Sequence, residues 1–388
     1  MYSGQTVFAQ LADYLPKRRF QTLVKRYRGD YKKRKFSCLD QLLTMIFAQL
    51  TCCESLRDIE ACLSARPSQR YHLGIRGRVR RSTLRDANES RDARIFENFA
   101  KILIAEARRL YAAEPMGVNL DATVYAFDST TISLCLELFP WAQFRRRKAA
   151  VKLHTLIDLR GNIPSFILIS TGKMHDVLAL DELPIEPGAF YLMDKGYIDY
   201  ARLYHIKDSC AFFVTRLKDN AQYRVARSQN VDKHTGVLCD QIIRLTGTKS
   251  VTAYPESLRR VKYRDDETGE VYQFLTNHLY LPSLVITQLY KQRWQVELFF
   301  KWIKQHLRIK AFYGTSENAV RVQVWTAISA YVLLAIVRKR LALPHELYAM
   351  TQILRLHLFA KTPILSLFWG HSDKNRMPHL CNQLSLFD

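Results

Sequence analysis

The chain has 388 residues, of which 48% are hydrophobic, so it can bury a large core in two or three domains. It carries 58 Lys and Arg against 36 Asp and Glu, a formal net charge of +22. This excess favours a polyanionic partner, with nucleic acid as the leading candidate. Ribosomal and heparin-binding proteins share the charge but not usually this size or apolar content.

None of the eight cysteines has the paired spacing of metal ligands, and we expect small buried hydrophobic side chains. The first residues lack the basic start and long apolar stretch of a signal peptide. The longest nearly apolar run, residues 325–337, is too short to span a bilayer. These features predict a protein of the reducing cytoplasm with no membrane partner.

Residues 1–115 are predicted to form a helical, basic, DNA-binding domain. They hold 23 Lys or Arg against 12 Asp or Glu, half of the net charge. Candidate helices cover residues 38–51, 55–65 and 83–112. Ser55 and Ser82 are the expected N-caps of the second and third. The basic loop before Ser82 could aim a helix N-terminus at DNA phosphates, as in a helix-turn-helix module, or form a solvated basic face.

Residues 116–345 are predicted to form an α/β domain with a mixed sheet and helices on its faces. The first predicted strands are residues 123–127, 151–158, 163–170, 190–193 and 211–215, with helices near 176–183 and 198–207. Gly161-Asn162 is the expected hairpin turn. Residues 216–282 are predicted to be a β-rich insertion, with strands near 222–227, 237–245, 259–264 and 271–276. A helix over 317–341 and a partly helical tail, 346–388, follow.

Two aspartates directly follow predicted strands, Asp128 after the first and Asp194 after the fourth. A carboxylate at the end of a buried apolar strand is costly unless it is paired or bound to a metal. Each aspartate alone could instead belong to a turn or cap a helix. Together with Glu297 they would bring three acids to one end of the sheet, an array that suits two hard cations roughly 3.5–4 Å apart.

The stretch Tyr290–Lys304 is predicted to be one amphipathic helix. At about 100° per residue, Tyr290, Arg293, Glu297 and Lys304 form a single polar stripe. The adjoining arc is apolar and consists of Leu289, Val296, Phe299, Phe300, Ile303 and Leu307. An ordinary amphipathic helix with one Arg293–Glu297 ion pair is the plainer interpretation. Alternatively, the carboxylate binds a metal while the cations and the phenol bind phosphate oxygens.

These segments resemble DDE transposases, and more narrowly the IS-four-type group of bacterial insertion sequences with a Tyr-x2-Arg-x3-Glu-x6-Lys signature. The resemblance rests on residues 127–130, 193–197 and 290–304, and residues 50–63, 82–89 and 313–320 extend it over nearly the whole chain. It implies a ribonuclease H-like catalytic core with a β-rich insertion, preceded by a helical DNA-binding domain. A nuclease of the same fold and a catalytically silent DNA-binding relative remain alternatives.

The resemblance also implies an activity and its residues. The enzyme would cut double-stranded DNA at inverted-repeat ends and join them to target DNA, as a homodimer assembled on DNA in the bacterial nucleoid. Two Mg²⁺ ions, for which Mn²⁺ substitutes, would be held by Asp128, bridging both, and by Asp194 and Glu297. The residues that would grip phosphates are Tyr290, Arg293 and Lys304.

Relatives in this group cleave through a DNA hairpin and stack a flipped base on a tryptophan of the insertion. No tryptophan lies between Asp194 and Tyr290 in this chain. The aromatic face would have to come from Tyr272, Phe274 or Tyr280.

Two weaker candidate sites remain. The basic run that contains Arg145, Arg146 and Arg147 is expected to contact the DNA backbone. His154 and the pair His175-Asp176 lie near strand ends, where they would bind a metal or, as the more ordinary role, donate hydrogen bonds.

Overall fold

The computed structural model describes residues 4–33, 35–65, 67–306 and 312–369. The N-terminal region is helical, as predicted. Its helices are α1 (Val7–Ala12), α2 (Lys17–Arg26), α3 (Cys38–Leu50), α4 (Leu56–Ser64), α5 (Pro67–His72), α6 (Arg81–Ser90) and α7 (Arg94–Tyr111). Ser55 caps α4 in a reciprocal bond with Asp58, which confirms that cap. Ser82 is not a cap, because α6 begins at Arg81.

The predicted helix over residues 83–112 is two helices, and a distant side chain occupies the break between them. Asn318 Nδ2 donates to the carbonyl oxygens of Asn88 and Arg91, at 2.8 and 2.7 Å. Its Oδ1 accepts from the Ala93 amide at 3.1 Å. Backbone groups that a continuous helix would pair internally are therefore satisfied by a residue about 230 positions away.

The rest of the chain is α/β, which confirms the predicted fold class. The strands are β1 (Val124–Leu134), β2 (Gln143–Arg145), β3 (Lys148–Asp158), β4 (Ile163–Thr171), β5 (Phe190–Met193), β6 (Phe212–Arg216), β7 (Tyr223–Gln229), β8 (Val237–Leu245), β9 (Leu258–Arg264) and β10 (Val271–Thr276). The helices are α8 (Tyr200–Asp208), α9 (Thr248–Ala253), α10 (Ser283–Gln292), α11 (Trp294–His306), α12 (Glu317–Arg340) and α13 (Leu347–His357). The predicted helix at 176–183 is a 3-10 turn.

All these strands belong to one mixed sheet in the order β4-β3-β1-β5-β6-β10-β9-β8-β7, with β2 also paired to β3. The pairs β1-β5 and β5-β6 are parallel and the others antiparallel. This is the mixed sheet expected of a ribonuclease H-like core. The four predicted strands of the insertion are present, and they extend the same sheet from β6.

Alternating residues of β1 face two different cores. Val124 and Ala126 pack with the N-terminal helices and α10–α13, whereas Tyr125 and Phe127 pack with α8 and the insertion. α12 is long and apolar enough to cross a membrane, but 94% of its most apolar window is buried inside the protein. It is therefore placed as a core helix.

The N-terminal helices share their core with the end of the described chain. α12 packs against α3, α6 and α7. Tyr313 Oη donates to the Cys53 carbonyl at 2.6 Å, and the Val7 amide donates to the Ala360 carbonyl at 2.9 Å. Removal of residues 1–115 would expose this core, so experiments on DNA binding require the full chain. The domain boundaries expected from the sequence stay predictions.

Candidate active site

Two aspartates lie side by side at one edge of the sheet. β1 and β5 run parallel with Phe127 opposite Met193, so the next residue on each, Asp128 and Asp194, are neighbours. β1 continues through Asp128 to Leu134 because β3 pairs with it there. The prediction that this strand ends before Asp128 was wrong. Asp194 does directly follow β5.

The guanidinium of Arg293 connects Asp128 to the helical glutamate. Nη1 donates to Asp128 Oδ2 at 3.3 Å, and Nη2 donates to Glu297 Oε1 at 2.6 Å. Arg293 lies between α10 and α11, so the predicted single helix over Tyr290–Lys304 is divided there. The ion pair of the plainer interpretation is present. With its side chain 15% exposed, Arg293 is turned onto the carboxylates.

Burial and charge act in opposite directions on Asp128. Burial raises the pKa of the Asp128 carboxyl above its usual value, while the Ser129 amide and Arg293 lower it. The negative charges of Glu297 and Asp194 raise this pKa further. The three carboxylates therefore form one electrostatic group, although they come from β1, the end of β5 and α11.

Two buried tyrosines donate hydrogen bonds into this group. Tyr197 Oη lies 3.4 Å from Asp128 Oδ1, and Tyr290 Oη lies 3.4 Å from Asp194 Oδ1. Burial raises the pKa of Tyr290 to about 12 and also raises the pKa of Tyr197, so both hydroxyls stay protonated at neutral pH. Tyr197 is a residue that the sequence reasoning missed. Its signal was its place three residues after Asp194.

The oxygen ligands have the chemistry that a hard divalent cation requires. Among the described residues, however, no group of three or more His, Cys, Asp or Glu side chains is placed to hold a metal ion. Arg293 lies between Asp128 and Glu297 and contacts one oxygen of each carboxylate. The carboxylates thus already bind one cation, and the donor set fits a metal in charge and chemistry.

The other residues of the polar stripe and the basic run are placed as follows. Tyr290 is buried in the last turn of α10, and Lys304 lies on α11 two turns beyond Glu297. Leu307, from the predicted apolar arc, lies outside the described residues. Arg145 ends β2, and Arg146 and Arg147 form the turn into β3, with all three arginines exposed.

The three aromatic candidates of the insertion lie in different environments. Phe274 is buried, with its ring centroid 4.9 Å from that of Tyr290. Tyr272 stacks on Phe274 at 6.0 Å, and the Arg216 guanidinium lies 5.1 Å from its ring. Because β10 runs antiparallel to β6, Tyr272 lies at the sheet edge of Asp194. Tyr280 follows β10 at the opposite edge.

The histidine candidates do not join the carboxylates. His154 is fully buried, its Nε2 lies 2.9 Å from Ser170 Oγ, and burial lowers its pKa to about 4. Its Nδ1 lies 3.9 Å from Asp176 Oδ1, which also pairs with Lys152 at 3.0 Å. A neutral, buried ring with a hydroxyl partner favours the hydrogen-bonding role. His175 is exposed.

The N-terminus of α6 differs from the expected phosphate site. The amide of Arg81 donates to Glu60 Oε2 at 3.2 Å, so a carboxylate of the protein already takes one of the first free amides. Arg81, Ser82, Arg85 and Asp86 are exposed on this helix, and Arg85 pairs with Asp86 at 3.3 Å. The exposed side of α6 therefore carries charges of both signs.

Comparison with known proteins identifies the family. A family model described as a transposase DDE domain matches residues 119–333, more than half of the chain, and one for a domain of unknown function, DUF4372, matches residues 3–76. A Sinorhizobium fredii protein named as transposase y4zB is 33% identical over 288 residues, 73% of this chain and 79% of that protein. A Synechocystis protein named as a transposase for insertion sequence element IS4SA is 26% identical over 340 residues, 84% and 89% of the two chains.

A solved structure, a cryo-EM structure of the piggyBac transposase synaptic complex with hairpin DNA, covers 97% of this chain and 82% of its own, with 10% identity and a TM-score of 0.47. The family model and the two relatives establish the family. The chain belongs to the DDE transposases of bacterial insertion sequences, metal-dependent enzymes that cleave DNA and transfer the cut strand.

Proposed function

We propose that this transposase cuts the inverted-repeat ends of its element with two Mg²⁺ ions held by Asp128, Asp194 and Glu297. The observation that carries the proposal is the register that pairs Phe127 with Met193, together with the Arg293 guanidinium that links Asp128 to Glu297. When bound, such ions activate a water or a sugar hydroxyl and stabilise the leaving oxygen. Mn²⁺ is the expected substitute.

The test is cleavage of a duplex that carries the terminal repeat, read from DNA flanking the coding sequence. Asp128→Asn, Asp194→Asn and Glu297→Gln should each abolish cleavage and leave duplex binding nearly unchanged, because these acids bind metal and not phosphate. Asp219→Asn is the matched control, since this carboxylate is exposed and lies 4.0 Å from Lys195. Normal cleavage by any of the three variants would contradict the proposal.

The cations of the stripe are assigned to DNA phosphates. Arg293 and Lys304 flank Glu297 on α11 and its N-terminal junction, and Tyr290 lies one turn before Arg293. Guanidinium and ammonium groups beside a metal-binding carboxylate suit the non-bridging oxygens of the cleaved phosphate. The exposed arginines of α6 and the run Arg145–Arg147 would contact the DNA backbone further away. Assembly as a homodimer on DNA, in the nucleoid of a bacterial cytoplasm, belongs to the same proposal.

If cleavage proceeds through a hairpin, Tyr272 is the aromatic side chain assigned to the flipped base. It lies at the sheet edge of Asp194, unlike Tyr280, and it is less buried than Phe274. The Arg216 guanidinium beside its ring supplies a cation for the neighbouring phosphate.

The measurement is the fluorescence of 2-aminopurine placed at each terminal position of the duplex. Tyr272→Ala should abolish the change of fluorescence that wild-type protein causes at one position, while Tyr280→Ala, a change to a 90% exposed ring at the other edge, should preserve it. The reverse pattern would assign the base to Tyr280, and no change in any protein would argue against base flipping.

A further inference from the structure

The position of Arg293 has a consequence for how a metal enters the site. Its two terminal nitrogens are divided between carboxylates from different elements, Asp128 on β1 and Glu297 on α11, at 3.3 and 2.6 Å. The guanidinium therefore fills the gap between them. A divalent cation and this guanidinium compete for that gap, because both are positive and both are attracted to the same two carboxylates.

Arg293 is incompletely hydrogen-bonded in this position. Its Nε is buried and finds no hydrogen-bond acceptor within the described part of the chain. Arg293 lies at the junction of α10 and α11, where the helix is interrupted. The guanidinium also lies 5.7 Å from the Tyr290 ring. A partly satisfied guanidinium on a junction residue is easier to move than one fixed by all its donors.

A DNA phosphate is the partner that can draw this guanidinium away. The planar fork of an arginine matches two phosphate oxygens as well as it matches carboxylate oxygens. Once Arg293 bonds to a phosphate next to the site, Asp128 and Glu297 become free to accept metal.

We propose that Arg293 is the resident counter-ion of the catalytic carboxylates in the DNA-free protein, and that its transfer to a DNA phosphate strengthens metal binding. The proposal rests on the metal site proposed above. It means that metal and DNA bind with positive cooperativity, and the coupling must be reciprocal: each increases the affinity for the other by the same factor.

The test measures Mn²⁺ binding by the full-length protein, using electron paramagnetic resonance of free Mn²⁺. Without DNA, Arg293→Gln should bind Mn²⁺ at least about tenfold more tightly than wild type, because the competing charge is gone. Lys291→Gln removes a charge two residues away that pairs with Asp265 at 2.9 Å, and should change the affinity less than about twofold. A short terminal-repeat duplex should raise the Mn²⁺ affinity of wild type but not that of Arg293→Gln.

Equal or weaker Mn²⁺ binding by folded Arg293→Gln, or equal gains from DNA in both proteins, would overturn the proposal. If Arg293→Gln does not fold, Arg293→Lys keeps the charge but cannot span both carboxylates, and should bind Mn²⁺ more tightly than wild type. Asp128→Asn separates the two proposals. If neither wild type nor Arg293→Gln binds Mn²⁺ better than Asp128→Asn, the metal site itself is wrong, and the exchange is wrong with it.

Discussion

Two arginine–carboxylate groups, one in the insertion and one at the edge of the central strands, differ in how completely they are bonded. Arg259 pairs with Asp240 through two parallel bonds of 2.8 and 2.5 Å and donates its remaining nitrogen to the Leu281 carbonyl, with both charged side chains almost fully buried. Arg293 divides itself between Asp128 and Glu297, which stay partly exposed.

The residues around the two arginines also differ in how completely their buried polar atoms are hydrogen-bonded. Among residues 216–282, all of them described, no buried side-chain nitrogen or oxygen lacks a hydrogen-bond partner, whereas Arg293 Nε, His154 Nδ1 and Thr155 Oγ1 lack one near the carboxylates. Buried polar groups are normally satisfied. The completely bonded Arg259–Asp240 pair therefore stabilises the insertion, and the incomplete bonding of Arg293 supports the proposal that its carboxylate group binds metal and DNA.

The largest effects are expected when each of these two arginines is removed in turn. Arg259→Ala should lower the free energy of unfolding by about 3–5 kcal/mol, since it leaves Asp240 buried and unpaired. Arg293→Ala should cost less stability than Arg259→Ala, because Asp128 and Glu297 are 22% and 33% exposed and keep contact with water, but it should reduce end cleavage at least about 100-fold. Chemical denaturation and a cleavage assay measure both. A large stability loss with normal cleavage in Arg293→Ala would make that arginine a stabilising residue like Arg259.

A second prediction concerns the effect of the buried His154 on the free energy of unfolding. Burial lowers its pKa to about 4, below the ordinary value near 6.5. Between pH 4 and 6.5 His154 binds a proton more readily in the unfolded chain than in the folded protein. The stability that the folded protein has with neutral His154 is therefore fully present above about pH 6.5 and is lost as the pH falls toward 4. His154→Gln should remove this loss, about 3 kcal/mol at pH 4, measured by denaturation against pH. The same change at exposed His175 is the control, and an equal pH dependence in His154→Gln and wild type would contradict the account.

Tyr197 is expected to act through Asp128. Tyr197→Phe keeps the buried ring but removes the hydroxyl that lies 3.4 Å from Asp128 Oδ1. We expect about 1 kcal/mol weaker Mn²⁺ binding, roughly fivefold, with unchanged thermal stability. Calorimetric titration of the DNA-bound protein would measure it. An unchanged Mn²⁺ affinity would limit Tyr197 to packing.

The smallest expected effects belong to exposed cations outside both groups. Removing Arg145, Arg146 and Arg147 together should weaken duplex binding and make the slope of log affinity against log salt shallower by about 0.9 for each phosphate that the variant no longer neutralises. Arg321→Ala is the control, because this arginine already pairs with Glu317 at 2.8 Å. An unchanged slope in the triple variant would remove this turn from the DNA interface.

The sequence predicted the strands of the insertion to within a few residues because alternating side chains and polar turns are local signals. The predictions of element ends were wrong where contacts between residues distant in sequence determine the structure. β1 continues past Asp128 through a polar segment because β3 pairs with it, and the long helix breaks where Asn318 satisfies the backbone.

The same limit applies to the site. The spacing of Arg293 and Glu297 on neighbouring turns indicated an ion pair or a shared function, and the sequence could not show that Asp128 is the second partner of the guanidinium. That contact joins residues 165 positions apart, through a strand register that no local pattern encodes.

The most direct test is crystallography of the full chain with a terminal-repeat duplex and Mn²⁺, using anomalous scattering to locate the metal. We expect two manganese peaks roughly 3.5–4 Å apart among Asp128, Asp194 and Glu297, with the Arg293 guanidinium on a DNA phosphate. A complex with DNA bound, no manganese at these carboxylates and Arg293 still between Asp128 and Glu297 would contradict it.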